Sequence, residues 1–326
     1  MANTRDFDEI DISTETIIGK TNWKINIQEL FTNLPVTEYS VLPKKRGRRP
    51  KNEKKAEIQL LEDGQIITLK LGDKVRGVDL KSKKRTKPDD KDIKDIKDIK
   101  NDKKSDKSKE DKDNYFRNSI TIVMQCDGKL INFKISKNGK FQFTGCKNGN
   151  NAHKCLDYVK TYIYALPNKK ILSVPLNSNL EVTYITVMAN INFSLGFCIN
   201  KENLDDYVNK NTEYYSLLET TFGYTGVNIK IPLTQLDNVP IRKMTYHLSR
   251  DEWVRQDLSY KDYIGTMDEK EKIKEKGKTR YNTFLVFQSG NVILSSPHKE
   301  CMRDTYHEFL GIIRQCRPVI EEKIQS

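Results

Sequence analysis

Two stretches decide the fold: "SKNGKFQFTGCK" at Ser136–Lys147 and "FQSGNVILSSPHK" at Phe287–Lys299. Each begins with a short polar turn that contains a glycine, Lys137-Asn138-Gly139 in the first and Gln288-Ser289-Gly290 in the second. Glycine enters the positive-φ conformation that tight hairpin turns need. Around each turn, apolar residues alternate with polar ones, the period of a strand with one buried face. Outward from the first turn, "SITIVMQC", "KLINFKI" and "KFQFTGC" read as three strands, the first two joined by Asp127-Gly128. A helix is predicted from about Asn151 to Leu166, with Ala152, Cys155, Leu156, Val159 and Ile163 on one face and Pro167 ending it. Outward from the second turn, "NTFLVF" and "NVILSS" form a hairpin and a helix follows over about Lys299–Glu322, with Pro318 late in it.

The remaining segments extend the same phrase. "TIIGKTNWKINI" and "QELFTNLP" read as a strand and a short helix or turn. Residues 180–196 read as a strand with a second strand-like run from about Phe193, "KENLDDYVNK" as a short helix and "GVNIKI" as a strand. "NWKINI" (Asn22–Ile27) matches "NINFSL" (Asn190–Leu195), and "NGKFQFTGCK" matches "SGNVILSSPH". Each half then gives strand, short helix, antiparallel strands and long helix. The expected fold is α+β, a pseudo-twofold duplicated antiparallel sheet with helices on one face. Residues 57–72 suggest a hairpin about Asp63-Gly64, and residues 79–113, with their Lys/Asp alternation, have no apolar face and read as disordered. Residues 234–281 are charged and poorly patterned.

The chain has 326 residues, 36% hydrophobic and 31% charged, with net charge +12. That balance favours a polyanionic partner. Six cysteines without a CxxC pair read as reduced thiols of a cytosolic or nuclear compartment. The acidic start has no apolar core of a signal peptide, and no run approaches a membrane span, so a secreted or membrane protein is not expected. No P-loop, HExxH, GxSxG or paired catalytic carboxylate pattern is present, which points to a non-enzyme without a cofactor. His298, Cys301 and His307 lie near one another but lack a fourth ligand, so no metal site is expected.

The twice-used phrase "FKISKNGKFQFTGCK" and "FLVFQSGNVILSSPHK" resembles the SGK–strand–TGAK phrase of the TATA-box-binding protein (TBP) family. "SITIVMQC", "TNWKINIQEL" and "ANINFSLGF" are similar to other repeat elements of that family. The resemblance divides the chain into 1–36, the start of a first repeat; 37–114, an insertion; 115–170, the rest of that repeat; 171–232, the start of a second; 233–279, a second insertion; and 280–326, the end. It implies a saddle with helices on its convex face. The concave sheet would lie in the minor groove of an AT-rich promoter duplex. Phenylalanines would wedge between base steps. A transcription-factor-B-like protein and RNA polymerase would be partners.

On strand parity, Leu285, Phe287, Ile293 and Ser295 fall on the implied DNA face. Phe287 stands at a wedge position, with Phe222 or Tyr224 as its partner; it equally suits packing beneath an insertion. In the first repeat the same face carries Lys134, Ser136, Gln142 and Thr144, with Ser136 and roughly Ser119 at the wedge positions. The family's two central asparagines align with Thr14 and Tyr184. "KKRGRRPK" resembles an AT-hook, in which Arg46, Arg48 and Arg49 would enter a narrow minor groove; a localisation signal or phosphate contact is the commoner meaning of such a run. The divergence and Lys/Asn/Ile bias point to a large DNA virus or an AT-rich protist, placing the protein in a nucleus, a viral factory in host cytoplasm, or a virion. The alternative is a TBP-fold protein-interaction or virion-packaging module that no longer bends DNA.

Overall fold

In a computed structural model, residues 6–39, 60–78, 118–166, 170–173, 178–218, 226–233 and 235–322 are described. The arginine-rich run, the Lys/Asp tract, Phe222 and Tyr224 lie outside them. The chain forms one 13-stranded antiparallel sheet with six α-helices among the described residues.

The two hairpins are where the sequence puts them. Strands β4 (Ser119–Cys126), β5 (Lys129–Ser136) and β6 (Lys140–Cys146) form a meander, with Phe133 opposite Phe143 and Ile135 opposite Phe141. These four side chains are at most 1% exposed and lie against α2 (Gly149–Tyr164). Burying each contributes roughly 1.5–3 kcal/mol. Asn148 caps α2 by accepting a hydrogen bond from the Asn150 N–H at 3.1 Å. In the second hairpin, β12 (Tyr281–Phe287) pairs with β13 (Asn291–Ser296), and Phe284, Val286, Val292 and Leu294 turn toward α6 (Arg303–Ile320). A 3-10 turn, Lys299–Met302, leads into α6, so the helix starts later than the sequence suggested. Pro318 lies inside its last turn.

The central pair is β1 (Ile12–Thr21) with β7 (Leu180–Ser194), followed by α1 (Ile27–Asn33) and α3 (Lys201–Asn211) respectively. The other strands of the sheet path are β2 (Ile66–Leu71), β3 (Lys74–Gly77), β8 (Tyr215–Leu218) and β9 (Gly226–Pro232). Reading outward from the centre, one arm runs β1, β6, β5, β4, β2, β3 and the other β7, β13, β12, β9, β8. The same backbone hydrogen bonds occur in both arms. Thr21 N–H donates to Gly139 O at 3.0 Å, and Leu195 N–H to Gly290 O at 2.8 Å. Ile25 N–H donates to Lys137 O at 2.9 Å, and Ile199 N–H to Gln288 O at 2.8 Å. Asn26 and Asn200 N-cap α1 and α3 with their side chains.

Those bonds correct the alignment of the halves. Trp23-Lys24-Ile25-Asn26 corresponds to Phe197-Cys198-Ile199-Asn200, whereas "NINFSL" is the end of β7. Residues 180–194 are one strand, not two. The Asp63-Gly64 turn precedes β2; the hairpin itself turns at Gly72-Asp73, where β2 meets β3. The first turn is anchored elsewhere, with Gly64 N–H donating to Gln125 O at 2.9 Å and Tyr162 Oη donating to Gly64 O at 2.9 Å.

The segment that looked unpatterned is ordered into four elements. Strands β10 (Pro240–His247) and β11 (Glu252–Ser259) form a hairpin whose first strand joins β7 at residues 180–184, and α4 (Tyr260–Gly265) and α5 (Glu269–Lys276) follow. Tyr246 and Trp253 of this hairpin pack toward α2, where Trp253 Nε1 donates to Asp157 at 2.7 Å.

Candidate nucleic-acid interface

Antiparallel register sorts the strand residues into two faces, because residues directly opposite share a side. One face packs under α1, α2, α3 and α6. The other, here the open face, carries Thr14, Thr16, Ile18 and Lys20 from β1, and Lys140, Gln142 and Thr144 from β6. From β5 and β4 it carries Asn132, Lys134, Ser136, Ser119 and Thr121. In the second arm it carries Asn190, Asn192, Ser295, Ile293, Thr283, Leu285 and Phe287. Among the described strand residues of the two arms, the one carboxylate on this face is Glu181 at the far end of β7, and Lys243 Nζ holds it at 2.9 Å. The other strand carboxylate, Glu15, is buried beneath the sheet, where desolvation raises its pKa against the opposing pull of Arg242.

The arms differ in chemistry along matching rows. Gln142 stands opposite Lys134, with Ile18 and Thr121 to either side. In the second arm Ile293 stands opposite Leu285, with Asn192 and Asn228 to either side. Apolar surface continues to the edge, where Tyr215 and Leu217 are 58% and 46% exposed. At the end of the arm, Phe287 is half-buried and lines a hollow of about 540 Å³ with Asn192, Ser194, Asn291 and Ile293. Its counterpart Ser136 lies opposite Ser119 and donates to Asn138 Oδ1 at 2.5 Å.

Parity thus places Phe287, Leu285, Ile293, Ser295, Lys134, Ser136, Gln142, Thr144 and Thr14 on one face. Tyr184 does not join them. It is 3% exposed on the helix side, with its hydroxyl 3.2 Å from His153 Nδ1 and the Arg242 guanidinium 4.9 Å over its ring. A bulge at Val187 reverses the parity of β7 between Tyr184 and Ala189. Burial raises the Tyr184 pKa; burial, then Arg242, pushes His153 down to about 4. The central position opposite Thr14 is Asn190, which is also opposite Ser295. Its Oδ1 is buried without a partner among the described residues. Asn190 and Asn192 lie in the run that the sequence aligned with "NWKINI".

The second insertion reaches this face. Tyr263 of α4 takes a hydrogen bond from Lys20 Nζ at 2.6 Å, and Ile185 packs into a cluster with Ile241, Tyr260 and Tyr263. Glu275 ties α5 to this unit through Arg280 and Tyr260. Burial opposes its ionisation, but hydrogen bonds from Lys278, Tyr260 and Arg280 prevail and hold its carboxyl at about 2. Among the described residues no group of His, Cys, Asp and Glu is placed to hold a metal ion, and His298 instead caps the turn before α6.

A curated protein of Invertebrate iridescent virus 6, "Uncharacterized protein 335L", is similar. It is 32% identical over 205 residues, which make up 61% of this chain and 60% of that protein. The chain therefore matches less than two thirds of that relative's length. No protein-family model matches. Among solved structures, Methanococcus jannaschii TBP aligns over 94% of this chain and 99% of its own, with 13% identity and a TM-score of 0.39.

Proposed function

We propose that the chain is a duplicated saddle of the TATA-box-binding kind that binds duplex DNA in the minor groove on its open face. In this reading α1, α2, α3 and α6 form the convex back, available to a transcription-factor-B-like protein and RNA polymerase. The role is a non-enzymatic platform for transcription initiation, in a nucleus or viral factory. The recurring hydrogen bonds about Gly139 and Gly290 support the duplication. One observation carries the DNA reading: a long sheet face almost without carboxylates, in which cations and apolar side chains replace them. A polyanion meets little repulsion there, and the apolar side chains of the second arm can displace groove water.

Fluorescence anisotropy of a labelled AT-rich duplex tests this. Binding should exceed that of a random duplex and fall for the double variant Leu285→Ser/Phe287→Ser. Equal binding of both duplexes, unchanged in the variant, would overturn the reading. A second reading, a protein-interaction or virion-packaging module, is favoured by α4, which already occupies Lys20 and Ile185. It is adopted if no duplex binds at low salt.

A further inference from the structure

We infer that the two arms discriminate base pairs differently. The pair beneath Ile293 and Leu285 is restricted to A·T, whereas the matching pair beneath Gln142 and Lys134 tolerates G·C. This rests on the reading of the open face as a minor-groove surface. In that groove A·T and T·A show only acceptors, and G·C adds one donor, the guanine N2 amino group. A sheet face therefore excludes G·C wherever it covers that amino group without an acceptor.

Ile293 and Leu285 are directly opposite each other on β13 and β12 and offer no acceptor. Phe287 follows Leu285 two residues along the same strand face. Asn192 and Asn228 flank the apolar pair, one strand away on either side. Strands are spaced roughly 4.8 Å apart, so the Asn192 carboxamide addresses a neighbouring position, and the Asn228 Oδ1 is itself buried. The exclusion is confined to the one or two base pairs over the apolar centre. In the first arm, Gln142 takes the place of Ile293, and its carboxamide oxygen can accept from the amino group. Thr144 and Asn132, opposite each other in the next row, add a hydroxyl and a second carboxamide. Lys134, a donor only, satisfies the purine N3 or pyrimidine O2 acceptors of any pair. The site thereby acquires a direction, because an asymmetric sequence fits one way round.

The test scans a single G·C pair through an otherwise A·T duplex and measures affinity by anisotropy. One short window should lose about tenfold. An inosine·cytosine pair, which lacks the amino group, should restore affinity there. Ile293→Gln should flatten the window, while Gln142→Ile/Lys134→Leu should open a second one. Thermal melting checks that each variant is folded. A flat scan, a symmetric scan, or failure of inosine to restore binding overturns this inference and leaves the DNA reading standing. Failure to bind any duplex overturns the DNA reading itself.

Discussion

Gly290 and Gly128 both close hairpins at positive φ, +77° and +70°, but their surroundings differ. Alanine at Gly128 would meet nothing within 4 Å. Its cost is the left-handed backbone alone, about 1–2 kcal/mol. Alanine at Gly290 would set its Cβ against the backbone carbonyl of Phe197, which cannot rotate away. That carbonyl lies in the connection held by the Leu195–Gly290 and Ile199–Gln288 hydrogen bonds, so relief requires moving both segments. Overpacking adds roughly 1–3 kcal/mol and a weakened hydrogen bond about 1 kcal/mol. Gly290→Ala should therefore cost about 2–4 kcal/mol more than Gly128→Ala. At about 2–4 °C per kcal/mol, its melting midpoint by circular dichroism should lie at least ~4 °C lower. Gly139→Ala should behave like Gly290→Ala, since its Cβ would strike the Trp23 carbonyl. Equal midpoints for the Gly290 and Gly128 variants would refute the close approach. A mild Gly139 variant beside a severe Gly290 variant would refute the equivalence of the two turns.

If Lys140 faces a phosphate, Lys140→Gln should shallow the slope of log affinity against log salt by about 1, and an unchanged slope removes it from the contact. Tyr263→Ala releases Lys20 and should tighten duplex binding if α4 competes for the open face; unaltered affinity, measured by anisotropy, would show that it does not. His153 has an ordinary pKa of 6.5 and a folded value of about 4, so the unfolded chain takes up the proton first. Stability from this group is intact above pH 6.5 and is lost as pH falls toward 4. The urea midpoint should drop over that window more in the native chain than in His153→Gln, and parallel profiles would rule the histidine out. Asn200→Ala removes the cap on Asn203 N–H, made at 2.9 Å, and should cost ~1 kcal/mol in the same assay; no loss would mean that the cap contributes nothing.

The hairpins were legible because their turn residues fix register, and register fixes which side chains are buried. Phe141 and Phe143 could then be separated from Gln142 and Thr144 by alternation alone. Tyr184 was not legible in this way: one extra residue at Val187 inverts the count, and a bulge leaves no mark in residue type. The β10–β11 hairpin escaped for another reason. Its inner residues answer to Tyr184, Asp157 and Lys160, which are distant in sequence, while β11 is mostly exposed and shows no clear alternation. The Asp63-Gly64 turn was recognised as a turn, but a second turn signal at Gly72-Asp73 made the hairpin. The open-face asparagines were visible as letters only. Their side followed from pairing with Thr14 and Ile293.

The β1–β7 pairing also constrains how such a chain can be divided. Neither arm possesses, within itself, a neighbour for the outer edge of its first strand: β1 lends that edge to β7, and β7 to β1. An arm produced alone would carry an unsatisfied row of amides and carbonyls along its longest strand. A second copy of the same arm would satisfy that row by pairing strand to strand about a twofold axis. Covalent continuity between the arms thus does the work that concentration would do in a dimer of single arms. It also frees each arm to change its surface independently, as Ser136 and Phe287 illustrate.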